Sequence, residues 1–203
     1  MPAVGERKRS DVFGAVLAGG AASRMDGDKA GALLGGRPLL DYPVQALQAR
    51  LADVAVVAKA DSVLPELAGS VSRIDEPAEP RHPMAGVVAA LEAAGGRPVL
   101  VLACDLPLVG EATVDALLAE PAGGSMVIAA AAQGRVQPLM ARYEAGALSG
   151  LAGFDPGVSA TGLALGLGAS LVAVPDREAT GVNDAGELEE LSRRWRSSSG
   201  PAG

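Results

Sequence analysis

Short runs of Val, Leu and Ala recur along this chain, separated by stretches in which apolar residues return every three or four positions. The runs at 12–17, 54–58, 71–74, 99–103, 126–131, 139–143 and 170–174 predict β-strands. The helical spacing predicts helices at 39–51, 83–94, 111–119, 144–151 and 185–196, a short one at 62–67 and a weak, glycine-broken one at 161–167, with loop at 154–156. Pro83 opens one of these helices and Gly95-Gly96 closes it. The run Val99-Leu100-Val101-Leu102-Ala103 has no polar position, as expected of a strand buried on both faces of a parallel sheet. Strands alternating with helices predict a mainly parallel sheet covered on both faces. No repeat or interdomain linker interrupts the pattern, so a single domain is expected over 12–196, after a flexible stretch at 1–11 and before a disordered tail at 197–203.

Composition narrows the chemistry. Apolar residues make up 49% of the 203 positions but aromatic ones only 2%, so the core must be built from small aliphatic side chains. The net charge of −7 argues against binding to nucleic acid or to an acidic membrane surface, though not against a nucleotide held by a few local cations. One cysteine and one histidine exclude an internal disulfide and any Cys- or His-rich metal centre. Any metal must be held mainly by oxygen, which points to a hard ion such as Mg²⁺. No apolar stretch is long enough to span a bilayer, and the run after the basic amino end reads as a strand rather than a signal-peptide core, so a cytoplasmic location is expected.

In a doubly covered sheet a ligand binds beyond the carboxyl ends of the strands, and two candidate elements fall there. The first strand runs into Leu17-Ala18-Gly19-Gly20, followed by Arg24 and Lys29. Gly19 and Gly20 let the backbone bend and bring its N–H groups close to an anion or a base. Arg24 as a planar fork and Lys29 as a point charge suit a polyphosphate. The other element is Ala103-Cys104-Asp105-Leu106-Pro107, where Asp105 leaves a strongly apolar strand and either starts a turn or, bridged through a divalent metal to phosphates, finds a partner for its charge. Cys104 reads as inert packing.

The strings LAGGAASRMDGDKA, PMAG and ACDLP, with Gln137-Pro138 and the late Val182-Asn183, resemble the molybdenum cofactor guanylyltransferases of the nucleotidyltransferase family. The resemblance runs from about Val12 to Trp195. It implies a three-layer α/β/α sandwich, Rossmann-like and of the nucleotide-diphospho-sugar transferase type. It also implies transfer of GMP from GTP to the phosphate of molybdenum-loaded molybdopterin, with Mg²⁺ and release of pyrophosphate, and transient contact with molybdopterin-synthesis proteins or acceptor apo-enzymes. By the same resemblance Leu17, Ala18, Gly19 and Gly20 contact the nucleotide, Arg24 and Lys29 its phosphates, Asp75 the nucleotide, Asp105 the metal, and Asn183 the pterin.

Some positions depart from the family pattern. Asp26-Gly27 shifts a glycine by one place and adds a carboxylate near the phosphates. Met84 replaces a leucine, Ala58 or Lys59 stands where some members carry asparagine, and the first asparagine of the late Asn-x-Asn is lost. The Ala18-Gly19-Gly20 turn favours GTP over CTP, since CTP-dependent relatives carry Leu-Ala-Ala-Gly. A non-catalytic nucleotide-binding adaptor is the reading from another class. His82 is expected to be a solvated loop residue. Gln137-Pro138 either shapes a substrate cleft or breaks a strand. Asp184 is expected to cap the last helix, with Glu187 on its wet face.

Overall fold

The computed structural model describes residues 8–19 and 29–198. Its elements, in chain order, are β1 (Phe13–Leu17), β2 (Leu33–Leu34), β3 (Arg37–Pro38), α1 (Asp41–Gln48), β4 (Val54–Lys59), β5 (Val71–Glu76), α2 (Pro83–Ala93), β6 (Val99–Ala103), α3 (Glu111–Ala119), β7 (Val127–Ala132), β8 (Arg135–Tyr143), α4 (Ala147–Leu151), α5 (Ala160–Gly166), β9 (Ser170–Ala173), a 3₁₀ turn (Asp176–Ala179) and α6 (Ala185–Ser198).

Seven strands form one sheet in the order β5-β4-β1-β6-β8-β7-β9. All neighbours pair in parallel except β8, which is antiparallel to both β6 and β7. Side chains alternate between the two faces of each strand. On one face Val16, Val54, Val56, Leu100, Leu102 and Ile128 meet Leu47 of α1 and Leu117 of α3. On the other, Ala15, Val57, Val99, Val101 and Ala141 meet Met84, Val87 and Leu91 of α2, Leu151 of α4 and Ala164 of α5. Both faces are thus covered, giving the three layers. A third cluster lies off the sheet: Leu34, Leu39 and Val182, with Tyr42, Leu188, Leu191 and Trp195 packed against them. It fastens the β2–β3 hairpin to α6.

The expected helix at 62–67 is absent. Pro65 has no N–H to give and disfavours helical backbone at Leu64, so the segment runs irregularly while Leu64 and Leu67 still pack on the core. β8 begins at Arg135, earlier than the expected 139, because a register shift between Ala129 and Ala130 absorbs Pro138. The organised chain also starts before the expected Val12. Arg9 forms a bridge with Leu51, its N–H donates to the Arg50 carbonyl at 2.8 Å, and its guanidinium reaches the Leu118 carbonyl. At the other end α6 continues to Ser198, two residues past its expected end. The rest of the expected flexible ends, 1–7 and 199–203, lies outside the described residues. Among the described residues no helix is long and apolar enough to cross a membrane.

Candidate active site

The carboxyl ends of β1 and β6 lie side by side, with Leu17 paired to Ala103. Here the Leu17 carbonyl accepts from the Cys104 N–H at 3.0 Å and the Ala18 N–H donates to the Val57 carbonyl at 2.8 Å. Those groups are spent on the sheet. The backbone that a ligand can take up therefore begins with the Ala18 carbonyl and the Gly19 N–H. Gly20 and Arg24 lie outside the described residues.

Three of the expected residues converge. The Lys29 ammonium donates to Asp105 Oδ2 at 2.5 Å and to Asn183 Oδ1 at 3.3 Å. Asn183 is delivered by a segment that backs onto Asp105, for the Val182 N–H donates to the Asp105 carbonyl at 2.9 Å. A Cβ on Gly181 would stand 3.3 Å from the Asp105 carboxyl carbon, so a glycine keeps that approach close. Asp184 caps α6 as expected, accepting from the Glu187 N–H at 2.9 Å. Glu187 turns back to accept from the Asn183 N–H at 2.6 Å. It thereby holds Asn183 instead of only facing water.

Asp105 and Asn183 offer a carboxylate and an amide oxygen, and both already face a cation, the Lys29 ammonium. This all-oxygen pair fits a hard divalent ion that takes its remaining ligands from phosphate and water. Among the described residues no cluster of three or more acidic, Cys or His side chains is present, so such an ion would depend on its substrate for ligands. Burial, reinforced by the neighbouring Asp105 charge, pushes the Cys104 thiol up to about 12, which leaves it a packing group.

Asp75 is not brought to this cluster. Its side chain is 59% exposed on the outer strand β5 and pairs with Arg73 at 2.8 Å. The acid that meets the glycine turn is the next residue, Glu76, whose side chain is only 7% exposed. A Cβ on Gly19 would lie 2.1 Å from its Oε1, and one on Gly86 2.6 Å from its Oε2. Lys59 pairs with Glu76 at 3.3 Å and also donates to the Pro77 and Ala78 carbonyls. Lys59 is one of the two positions, with Ala58, where some family members carry asparagine, and here it holds an acid. A sequence signal for Glu76 existed. Strand periodicity puts it on the face of Ile74, toward α2, and puts Asp75 on the other.

His82 is not a free loop residue. It caps α2, accepting at Nδ1 from the Met84 N–H at 3.2 Å, and its ring lies 5.1 Å from that of Phe154.

Residues 14–159 match the MobA-like NTP transferase domain. The chain belongs to the MobA-like NTP transferase family. Among its relatives, a molybdenum cofactor guanylyltransferase of Cereibacter sphaeroides is 32% identical over 193 residues, 90% of this chain and 98% of that one. Another, from Rhizobium leguminosarum bv. trifolii, is 35% identical over 135 residues, 64% of this chain and 62% of that one. The crystal structure of molybdopterin-guanine dinucleotide biosynthesis protein A from Archaeoglobus fulgidus superposes with a TM-score of 0.63 at 18% identity, covering 90% of this chain and 98% of that one. This likeness covers more of the chain than the family match does.

Proposed function

We propose that this MobA-like transferase is a molybdenum cofactor guanylyltransferase. It moves GMP from GTP to the phosphate of molybdenum-loaded molybdopterin and releases pyrophosphate. The observation that carries the reading is the meeting of Lys29, Asp105 and Asn183 at the joined ends of β1 and β6, in a chain whose relatives bear that name.

The chemistry asks little covalent work of the protein, so positioning and charge dominate. The acceptor phosphate is already ionised at neutral pH and needs no general base. It attacks the α-phosphorus in line, and the bond to the β-phosphate oxygen breaks. Lys29, with Arg24 five positions before it in the sequence, stabilises charge growing on the departing pyrophosphate. The Ala18 carbonyl and Gly19 N–H position the nucleotide, while Leu17 and the Ala18 N–H hold the turn to the sheet. Asp105 and Asn183 would hold Mg²⁺, which when bound screens the phosphates and favours attack at the α-phosphorus.

Glu76 favours guanine. Guanine carries two adjacent donors, N1–H and the 2-amino group, and a carboxylate is the matching double acceptor. Cytosine has only its 4-amino donor on the corresponding edge. This favours GTP over the cytidylyltransferase alternative. Asp75 is left to the rim of the nucleotide side. The reading places the protein in the cytoplasm, in passing contact with the proteins that make molybdopterin or accept the finished cofactor.

The test is pyrophosphate release from GTP with Mg²⁺, with and without molybdenum-loaded molybdopterin, and the same with CTP. Acceptor-dependent release from GTP, with CTP at least tenfold poorer, is the expected result by the cost of unpaired base-edge groups, about 1.4 kcal/mol or more. Release from CTP alone would reassign the nucleotide. Binding without release would leave the adaptor reading.

A further inference from the structure

On the far side of Asp105 from the glycine turn opens a cleft of about 1000 Å³. The sheet order explains its place. β6, which leads into Asp105, lies between β1 and β8, so the nucleotide turn flanks it on one side and β8 on the other. Neither Gly19 nor Lys29 lines the cleft, whereas Asp105 and Asn183 do. A transfer between two substrates needs two subsites that meet at one group, and Asp105 is common to both.

Among the described residues lining the cleft, four carry charge: Asp105, Arg135, Asp176 and Glu187. The three carboxylates are each taken up by a protein donor. Asp105 is held by Lys29, Asp176 accepts from the Gln133 N–H at 2.8 Å, and Glu187 accepts from the Asn183 N–H at 2.6 Å. The remaining charge is the exposed guanidinium of Arg135. The backbone that carries it is firmly held. Ala132 and Arg135 pair across a two-residue turn in which Gln133 and Gly134 have φ of 51° and 69°, the left-handed pair of a tight hairpin. The Asp176 contact pins the tip of that hairpin to the 3₁₀ turn. β8 also overhangs its neighbour: Leu102 is the last residue of β6 that pairs with it, opposite Met140, and Arg135 lies five residues further out.

We propose that this cleft is the acceptor subsite and that Arg135 fastens an anionic group of the acceptor. The proposal rests on the guanylyltransferase reading. An anion entering a cleft lined by three carboxylates must find a cation. Arg135 supplies it as a planar fork that matches phosphate or a metal oxo-anion. Asp176 is a positioning residue, acting through the hairpin.

The experiment compares wild type with Arg135→Gln and Arg135→Lys in steady-state pyrophosphate release, varying GTP and molybdenum-loaded molybdopterin separately. Loss of one charge-assisted contact raises the acceptor KM of Arg135→Gln by about 10- to 100-fold and leaves the GTP KM within about twofold. Arg135→Lys recovers part of the loss, and the wild-type acceptor KM rises more steeply with salt than that of Arg135→Gln. Unchanged GTP binding by calorimetry certifies that the variant is folded. Metal-free molybdopterin as competitor distinguishes the anion. An equal penalty on both forms places Arg135 on the phosphate, and a penalty on the loaded form alone places it on the oxo-anion; either supports the subsite. An acceptor KM unchanged in Arg135→Gln overturns the subsite while the guanylyltransferase reading stands. Absence of GTP turnover by wild type overturns both.

Discussion

Lys29 and Asp105 hold each other at 2.5 Å across 76 residues of chain. One is the cation expected to meet the triphosphate, the other the carboxylate expected to meet its metal. In the free protein each neutralises the other, so neither partly exposed charge lacks a partner. When nucleotide and metal arrive, both groups exchange that partner for a stronger one.

Replacing either should therefore harm turnover far more than folding. Lys29→Ala and Asp105→Asn are expected to lower kcat/KM by about 10²- to 10³-fold, the range for loss of a group that stabilises transition-state charge. The pair is only about one-fifth exposed, so removing one partner leaves the other charge poorly solvated; stability should fall by about 1–3 kcal/mol, which leaves the chain folded. Pyrophosphate release and a urea melt on the same preparations decide it. Near-normal kcat/KM in either variant would refute the role given to that residue.

Glu76 is wedged between two glycines, and the wedge can be measured. Gly86→Ala puts a methyl group 2.6 Å from Glu76 Oε2, so the carboxylate or α2 must shift. Overpacking of this kind costs about 1–3 kcal/mol. Glu76→Ala in the same chain should relieve most of that cost. A double-mutant cycle by urea denaturation that shows simple additivity would mean the two positions do not touch.

The same carboxylate should read the purine edge. Inosine triphosphate lacks the 2-amino group of GTP. Wild type is expected to prefer GTP over ITP by about tenfold, and Glu76→Gln to lose most of that preference, because one accepting oxygen becomes a donor. An unaltered ratio in the variant would assign Glu76 to holding Lys59 and the turn, with no part in base selection.

The two tyrosines should make the fold sensitive to alkali. Burial raises Tyr143 far above the ordinary phenol value, and its hydroxyl donates to the Pro138 carbonyl at 2.9 Å. Burial also raises Tyr42, against the opposing charge of Arg37. Both are held neutral in the folded state. Their contribution to stability is fully present below about pH 10, where the unfolded phenol titrates, and is lost as pH rises toward the folded values. Absorbance at 295 nm should show less phenolate near pH 10 in the folded protein than in the urea-unfolded chain. Two reversible ionisations there, with the urea midpoint unmoved, would contradict this.

The sheet was legible because its strands are runs of Val, Leu and Ala too short and too apolar for surface helices, and 99–103 was found to the residue. Helix ends blurred where no cap marked them: α1 begins at Asp41, not at the expected 39. The hairpin β2–β3 was missed because each strand is two residues long, and only Gly35-Gly36, at φ of 58° and 83°, marks the turn. At the site, Lys29, Asp105 and Asn183 were legible as residue types after strands or before a helix. Their mutual contact was not, since it depends on how β1, β6 and the segment before α6 meet in space. Glu76 was overlooked because the expected strand stopped at 74, two residues short of the true end of β5, and an acid beyond a strand resembles any solvated one.

The packing of Trp195 on the β2–β3 turn has a consequence for how the enzyme comes into being. A Cβ on Gly35 would lie 2.6 Å from Trp195 Nε1, and Tyr42 meets Trp195 edge-on with ring centroids 5.5 Å apart. The hairpin just after Lys29 is thus latched by the last helix, the same helix whose entry carries Asn183. A growing polypeptide can lay down the first strands early, but it cannot close its catalytic corner until α6 has left the ribosome. Nucleotide capture would therefore report that α6 has emerged and docked.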